Sequence, residues 1–107
     1  FHCSQRRYWQ PEFEGSGLNL AGWAKKLTGR ASITVGSVGL DNSFVDRVDS
    51  SSPAPIDDLL HRLEREEFDL VAVGRALLAD PLWIQKIRAG RHGELVTYRA
   101  EMRRTLA

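Results

Sequence analysis

The stretch FDLVAVGRALLADP, residues 68–81, joins an apolar run to a glycine, an arginine and an Asp-Pro pair. Its first part, FDLVAV, is short, valine-rich and largely apolar, which predicts a β-strand. This strand runs directly into Gly74 and Arg75, and a permanently charged guanidinium at the end of a buried strand favours an anion site. Asp80 and Pro81 are typical of a helix N-cap and of the first helical residue. The stretch therefore predicts a strand, an anion-binding turn and a helix.

The same unit occurs twice more upstream. Apolar or β-branched runs at residues 1–4 and 32–36 lead, as residues 68–73 do, into a polar loop and then a helical pattern. Helices are predicted over residues 18–27 and 56–66, where apolar side chains recur at i, i+3, i+4 and i+7. Strands that alternate with helices form parallel sheets with right-handed crossovers. The candidate folds are a doubly wound α/β sheet and part of a (β/α)8 barrel, which needs about 250 residues when complete.

The helical spacing also predicts which side chains face the core. The predicted inward residues are Leu20, Trp23, Ala24 and Leu27 of the first helix, Ile56, Leu59, Leu60 and Leu63 of the second, and Trp83, Ile84 and Ile87 of a third that ends at Gly90. Asp41 predicts the start of one further short helix, with Phe44, Val45 and Val48 on its apolar side. Residues 49–55, DSSSPAP, predict a loop, and the tail after Gly90 predicts one more short helix.

Composition and charge exclude several classes of protein. The 107 residues are 42% hydrophobic and 27% charged, with a formal net charge of +1. These values are ordinary for a globular chain, and the near-neutral charge argues against a nucleic-acid partner. The densest basic stretch, residues 99–104, contains Glu101 among its arginines and is typical of a solvated helical face. No apolar run approaches the roughly 18 residues that a membrane span needs, and no secretory signal pattern occurs.

Cysteine and histidine usage argues against disulfides and metals. Cys3 is the only cysteine, so an internal disulfide is excluded, and its strand context predicts a buried core residue. A chain without disulfides suits a reducing compartment, and we expect the cytoplasm. His2, His61 and His92 are too scattered for a metal cluster, and neither CxxC nor HxxxH spacing occurs. We predict no metal site.

Glycines close two of the predicted strands, Gly36 the second and Gly74 the third. Ligands of α/β proteins bind at the carboxyl ends of parallel strands. Glycine lets a phosphate approach backbone N–H groups, and Arg75 can hold phosphate oxygens with two parallel hydrogen bonds. The alternative is that both glycines are turn residues and that Arg75 pairs with a carboxylate. The residues alone leave both interpretations open.

Three stretches carry a resemblance to a known family. They are FHCSQRRYW at residues 1–9, ITVGSVGL at residues 33–40 and FDLVAVGRALLADP at residues 68–81. Together they resemble the C-terminal portion of the old yellow enzyme family, the FMN-dependent NAD(P)H:flavin oxidoreductases and ene-reductases. The resemblance covers roughly residues 1–95 in the family's order. It implies an α/β fold in which residues 1–107 form the C-terminal part, about the last three β/α units, of a TIM (β/α)8 barrel.

The resemblance also implies cofactor-binding residues. Gly36, Ser37 and Val38 match the family's seventh-strand loop, whose backbone N–H groups contact the FMN phosphate. Gly74 and Arg75 match the eighth-strand pair that holds the same phosphate. Ser37 departs from the glycine or asparagine of many members, although its N–H and hydroxyl still donate hydrogen bonds. The implied reaction transfers hydride from NADH or NADPH through FMN to an enone or enal.

The loop after the first strand matches the family's sixth-strand loop, over the substrate side of the flavin. Tyr8 and Trp9 are therefore candidates for the wall of a substrate cleft. The alternative is that they pack on the barrel rim. The two interpretations are left open.

The family's catalytic residues have no match in this chain. They would lie upstream of Phe1, so we expect no catalytic residue here. Phe1 is not methionine and begins inside a predicted strand, so we expect the C-terminal part of a longer barrel, with a trimmed start as the alternative. Two other hypotheses stay open: a non-catalytic fragment that forms homo-oligomers through open sheet edges, and part of a different phosphate-binding barrel enzyme.

Overall fold

Strands alternate with helices along residues 1–42 and 50–105, the part of the chain that a computed structural model describes. In chain order the elements are β1 (His2–Ser4), α1 (Leu20–Thr28), β2 (Ile33–Val35), β3 (Ser50–Ser51), α2 (Asp57–Glu64), β4 (Leu70–Val71), α3 (Arg75–Ala79), α4 (Trp83–Arg88) and β5 (Tyr98–Arg99), with 3-10 helices at His92–Glu94 and Ala100–Thr105. β1, β2 and β4 form a parallel sheet in that order. The chain is therefore an α/β domain with a parallel sheet, as the alternation predicts.

The helix predicted after Asp41, with Phe44, Val45 and Val48, lies outside the described residues.

One face of the parallel sheet is covered and the other is open. Cys3 lies opposite Thr34 in the register of β1 and β2, and both side chains are buried, which confirms Cys3 as a core residue. Ile33 lies opposite Leu70 on the other face, where Leu70 is 59% exposed. Parallel sheets are normally covered on both faces. The helices of the described chain therefore cover only one of the two faces that such a sheet normally buries.

Asn19 fixes the start of α1. Its Oδ1 accepts a hydrogen bond from the Gly22 N–H at 2.9 Å, as an N-cap side chain does. Its Nδ2 donates to the Tyr8 carbonyl at 3.0 Å and to the Thr34 hydroxyl at 3.1 Å. The side chain is fully buried, and it is stable there because its oxygen and its nitrogen both have partners. Asn19 therefore ties the loop after β1 to β2 and to the start of α1.

Three side chains that were predicted to face the core are exposed: Leu27, Leu60 and Ile84. Leu27 is 75% exposed because α1 is longer than the three-residue strands on which it packs, so its last turn extends past the sheet. Leu60 and Ile84 directly follow the buried residues Leu59 and Trp83. Successive helical residues point about 100° apart, so each lies at the edge of the buried face. The buried stripes are thus narrower than the spacing predicts.

The predicted helix start at Asp80 and Pro81 is displaced in the structure. A five-residue helix, α3, already follows Gly74, and the next helix begins only at Trp83. The Asp80 carboxylate accepts a hydrogen bond from the Leu82 N–H at 3.1 Å, so it still organises the turn into α4. Because α3 is little more than one turn long, it has no apolar period that the sequence could reveal.

A second, antiparallel sheet joins β3 to β5. Ser51 lies opposite Tyr98, and Ser50 lies opposite Arg99. The predicted loop over residues 49–55 is wrong at these two serines, and the tail contains a strand beside its helical turns. Two-residue strands of low β-propensity carry no local signal, because the pairing depends on segments far apart in sequence. The arginines at 99, 103 and 104 are exposed, as predicted.

Within residues 1–42 and 50–105, no helix combines the length and the apolar character that crossing a bilayer requires.

Candidate functional site

A cavity of about 220 Å³ lies at the carboxyl ends of β1, β2 and β4. Its lining residues are Ser4, Gln5, Val35, Gly36, Ser37, Val38, Leu40, Gly74 and Arg75. All five residues predicted to bind a cofactor are among them. They converge because the carboxyl ends of neighbouring parallel strands meet at one edge of the sheet. The structure therefore brings the predicted site residues together around one cavity.

Glycine is required at the first turn of this site. Gly36 has a φ of +156°, and a Cβ there would lie 2.6 Å from the Gln5 carbonyl oxygen and 3.0 Å from the Tyr8 nitrogen. The loop after β1 therefore packs directly on the backbone of the loop after β2. The Tyr8 N–H donates to the Gly36 carbonyl at 3.0 Å, which holds the two loops together.

The loop after β2 presents backbone donors. Ser37 has a φ of +50°, which is uncommon for a residue with a side chain. In the described part of the chain, the N–H groups of Ser37 and Val38 donate to no acceptor. Successive N–H groups in such a turn form a concave, electropositive surface that binds anions. The loop is thus suited to hold an anionic group in the cavity.

The Ser37 hydroxyl contacts the loop after β1 and a second carbonyl of its own loop. Its Oγ lies 2.7 Å from the Arg6 carbonyl oxygen and 2.8 Å from that of Asn42. A hydroxyl has one proton, so it donates to one of these carbonyls at a time. The same oxygen accepts a hydrogen bond from Arg75 Nη2 at 3.3 Å. Serine at this position therefore stabilises the unusual loop conformation.

Arg75 contacts two neighbouring loop residues and an aromatic ring among the described residues. Its Nη2 donates to the Asn42 carbonyl at 2.7 Å as well as to Ser37. Its Cζ lies 5.4 Å from the centre of the Tyr98 ring, within the range of a cation–π contact. The guanidinium thus contacts both the loop after β2 and β5, and Arg75 lines the cavity.

Tyr8 and Trp9 pack against each other and the core. Tyr8 is buried, and the two rings meet edge to face with 5.1 Å between their centres. Burial raises the pKa of the Tyr8 hydroxyl and the negative charge of Asp58 raises it further, while the Leu59 N–H opposes them. Its hydroxyl therefore lies near the start of α2. Packing on a barrel rim stays a prediction. A substrate-side role for the two residues stays a prediction.

Six residues of the site were not predicted from the sequence: the lining residues Ser4, Gln5, Val35 and Leu40, and Asn42 and Tyr98, which contact Arg75. Gln5 follows β1 as Gly36 follows β2, so its position at a strand end was a usable signal. Its Oε1 accepts a hydrogen bond from the Leu20 N–H at 2.9 Å. Asn42 acts through its backbone carbonyl, and Tyr98 reaches the site through tertiary folding alone. Neither has a local sequence signal.

The described lining residues include none of the side chains that usually serve acid–base or metal chemistry. Among the described residues that line the cavity there is no His, Cys, Asp or Glu. Nor does any group of three such residues come together as a metal site over residues 1–42 and 50–105. His2, His61 and His92 are all exposed. The described residues of this arrangement can bind and orient an anionic ligand.

A larger depression of about 620 Å³ lies over the basic tail, lined by Arg99, Ala100, Glu101, Arg103 and Arg104. All its charged residues are exposed, and it does not adjoin the carboxyl ends of the parallel strands. The smaller cavity is therefore the stronger candidate.

The fold and the cavity define an α/β chain whose candidate ligand site is a glycine- and arginine-lined cavity at the carboxyl ends of parallel strands. No protein-family model matches the chain.

Changing Gly36→Ala is expected to destabilise the chain by about 1–2 kcal/mol, because the added Cβ forces two backbones apart. Gly93→Ala is the matched control, since a Cβ there has nothing within 4 Å. Urea unfolding followed by circular dichroism measures both. Equal stability of the two variants would contradict the close approach of the loops.

Proposed function

We propose that this chain binds the phosphate of FMN as the C-terminal part of an FMN-dependent (β/α)8-barrel oxidoreductase. The complete enzyme uses NADH or NADPH to reduce activated C=C bonds of enones and enals in the cytoplasm. The observation that carries the proposal is the convergence of Gly36, Ser37, Val38, Gly74 and Arg75 around one cavity. These are the residues that the resemblance to the old yellow enzyme family implies for the phosphate.

The chemistry of the lining supports a phosphate ligand. Backbone N–H groups of Ser37 and Val38 are suited to anionic oxygens. A Cβ at Gly74 would have nothing within 4 Å, so a ligand has room to approach the backbone there. Arg75 adds a fixed positive charge and a planar fork of donors. Hydrogen bonds from these groups to a dianionic phosphate are stronger than bonds to a neutral ligand. The donor set therefore fits the phosphate end of FMN.

The uncovered sheet face supports a barrel in preference to a doubly wound sheet. A doubly wound sheet has helices on both faces, whereas a barrel has helices only outside. Here the face of Cys3 and Thr34 is buried and the face of Ile33 and Leu70 is open. In a barrel, inward side chains of further strands would cover that open face. β1 and β4 also leave both sheet edges available for the neighbours that closure requires.

FMN and the protein have different roles in the proposed reaction. When bound, FMN supplies the hydride transfer, and the protein contributes binding, orientation and electrostatics. The loop after β2 and Arg75 would hold the phosphate, which fixes one end of the cofactor relative to the sheet. We assign no catalytic residue to this chain. The groups that polarise and protonate the substrate are proposed to lie upstream of Phe1, and Tyr8 and Trp9 are proposed near the substrate side.

The test uses the complete protein that contains this sequence. We expect it to be purified with the yellow absorbance of bound flavin, to release FMN on denaturation, and to oxidise NADH or NADPH faster when cyclohexenone is added. A colourless protein that binds another phosphate ester would favour a different barrel enzyme. A colourless protein that binds no phosphate ester and forms oligomers would favour the self-associating fragment.

A further inference from the structure

The C-terminal strand supplies a residue that none of the predicted site motifs includes. Tyr98 of β5 is 4% exposed, and its ring faces the guanidinium of Arg75 at 5.4 Å. We infer that Tyr98 is a positioning residue for Arg75, and that it makes the site selective for flavin with a phosphate over flavin without one. This inference rests on the proposed function.

Two kinds of contact hold the guanidinium of Arg75. Nη2 donates to the Asn42 carbonyl at 2.7 Å and to the Ser37 hydroxyl at 3.3 Å. The Tyr98 ring lies 5.4 Å from Cζ. A free arginine side chain samples many rotamers, and ordering them on binding costs affinity. The ring contact and the hydrogen bonds together reduce that cost because the guanidinium is already ordered before the ligand arrives.

The position of Tyr98 is itself fixed by the second sheet. Tyr98 pairs with Ser51 of β3, and Ser51 is fully buried. The Ser51 hydroxyl donates to the Asp41 carboxylate at 2.9 Å, and the Ser52 N–H donates to the same oxygen at 3.0 Å. Asp41 directly precedes Asn42, whose carbonyl holds Arg75. Tyr98 is therefore connected to Asn42 through β3 and Asp41, and both residues contact the guanidinium of Arg75.

The ring of Tyr98, rather than its hydroxyl, should carry the effect. A cation–π contact depends on the electron-rich face of the ring, which phenylalanine also has. Tyr98→Phe is therefore the conservative control and Tyr98→Leu the test, because leucine keeps an apolar side chain but has no ring. Riboflavin is the matched ligand, since it differs from FMN by lacking the phosphate that Arg75 would hold.

The experiment measures dissociation constants of FMN and riboflavin for the apo form of the complete protein by flavin fluorescence. Tyr98→Leu is expected to weaken FMN binding about tenfold and riboflavin binding less than about twofold. Tyr98→Phe should leave the ratio of the two constants within about twofold of the wild-type value. An equal loss for both ligands would assign Tyr98 a merely structural role and overturn the inference. An unchanged ratio in Tyr98→Leu would overturn it as well.

Two further variants test the inference if Tyr98→Leu does not fold and separate it from the proposed function. If Tyr98→Leu does not fold, pentafluorophenylalanine at position 98 keeps the ring shape while reversing its electrostatic attraction for cations, and the FMN-to-riboflavin preference should still fall. Arg75→Ala separates this inference from the proposed function. If Arg75→Ala leaves the preference unchanged, the phosphate site itself is wrong. If Arg75→Ala abolishes the preference and the Tyr98 variants do not alter it, only the role of Tyr98 is wrong.

Discussion

Replacing Arg75 with alanine in the complete protein is expected to weaken FMN binding about 10- to 150-fold, because hydrogen bonds to a charged group contribute roughly 1.5–3 kcal/mol. Arg75 lines the cavity and donates to Ser37, whose loop has N–H groups without an acceptor in the described part of the chain. Its loss removes the only charged donor among the described lining residues. Fluorescence titration of the apo protein with FMN measures the effect.

Two controls identify the cause of that loss. Arg30→Ala removes an equal charge from an exposed position that precedes β2, at the opposite end of the sheet, and should leave FMN affinity unchanged. Arg75→Lys keeps the charge but removes the planar fork, so its affinity should lie between those of the wild type and Arg75→Ala. Unchanged FMN affinity in Arg75→Ala, with the protein folded, would rule out the proposed phosphate site.

The parallel sheet and the candidate site at the carboxyl ends of its strands could be predicted because their signals are local. Each strand is a short apolar run, and each is followed within a residue or two by a loop residue such as Gly36 or Gly74. Parallel pairing then brings those strand ends together without further information. For this reason the strand ends alone predicted that Gly36, Gly74 and Arg75 would lie at one edge of the sheet, whereas Ser37 and Val38 were predicted from the family resemblance. The helix ends at Gly29 and Gly90 have positive φ values, as glycine at these positions predicts.

The remaining features depend on tertiary contacts. The pairing of β3 with β5 joins segments on either side of three helices, and neither has a period to detect. The roles of Asn42 and Tyr98 follow from that pairing, so they could not be read from their neighbours in sequence. The exposure of Leu27 depends on how far α1 extends past its sheet, and that of Leu60 and Ile84 depends on how wide a face of each helix the neighbouring elements cover. Asn19 had a detectable signal, since asparagine before an apolar helical run is a common N-cap.

The second large effect is expected from a substitution of Asp80, which should lower the free energy of unfolding. Its side chain is 4% exposed and accepts a hydrogen bond from Lys86 Nζ at 2.7 Å. The Val96 N–H donates to the same oxygen at 3.3 Å, and the Leu82 N–H donates to the other at 3.1 Å. The carboxylate therefore joins α4 to the turn before it and to the C-terminal segment. Asp80→Asn should destabilise the chain by about 3 kcal/mol, because it leaves the Lys86 ammonium beside a neutral group.

The pH dependence of stability follows from the same contacts. The hydrogen bond from Lys86 holds the pKa of the Asp80 carboxyl below its ordinary value, with the Leu82 and Val96 N–H groups acting in the same direction, although burial opposes them. A carboxyl whose pKa is lower in the folded state stabilises that state above its unfolded pKa of about 3.9. The contribution decreases as the pH falls below that value and is lost below the folded pKa.

Urea unfolding between pH 7 and pH 2 checks both expectations. In the wild type, the free energy of unfolding should decrease as the pH falls through the acid range. In Asp80→Asn this decrease should be smaller, because the titrating carboxyl is absent. Asp69→Asn is the matched control, since Lys25 and the Ser32 N–H also lower the pKa of the Asp69 carboxyl, but that ion pair is about one-third exposed. Screening by solvent makes its loss smaller at every pH. If the two variants lose equal stability at pH 7, the buried pair of Asp80 and Lys86 does not organise this end of the fold.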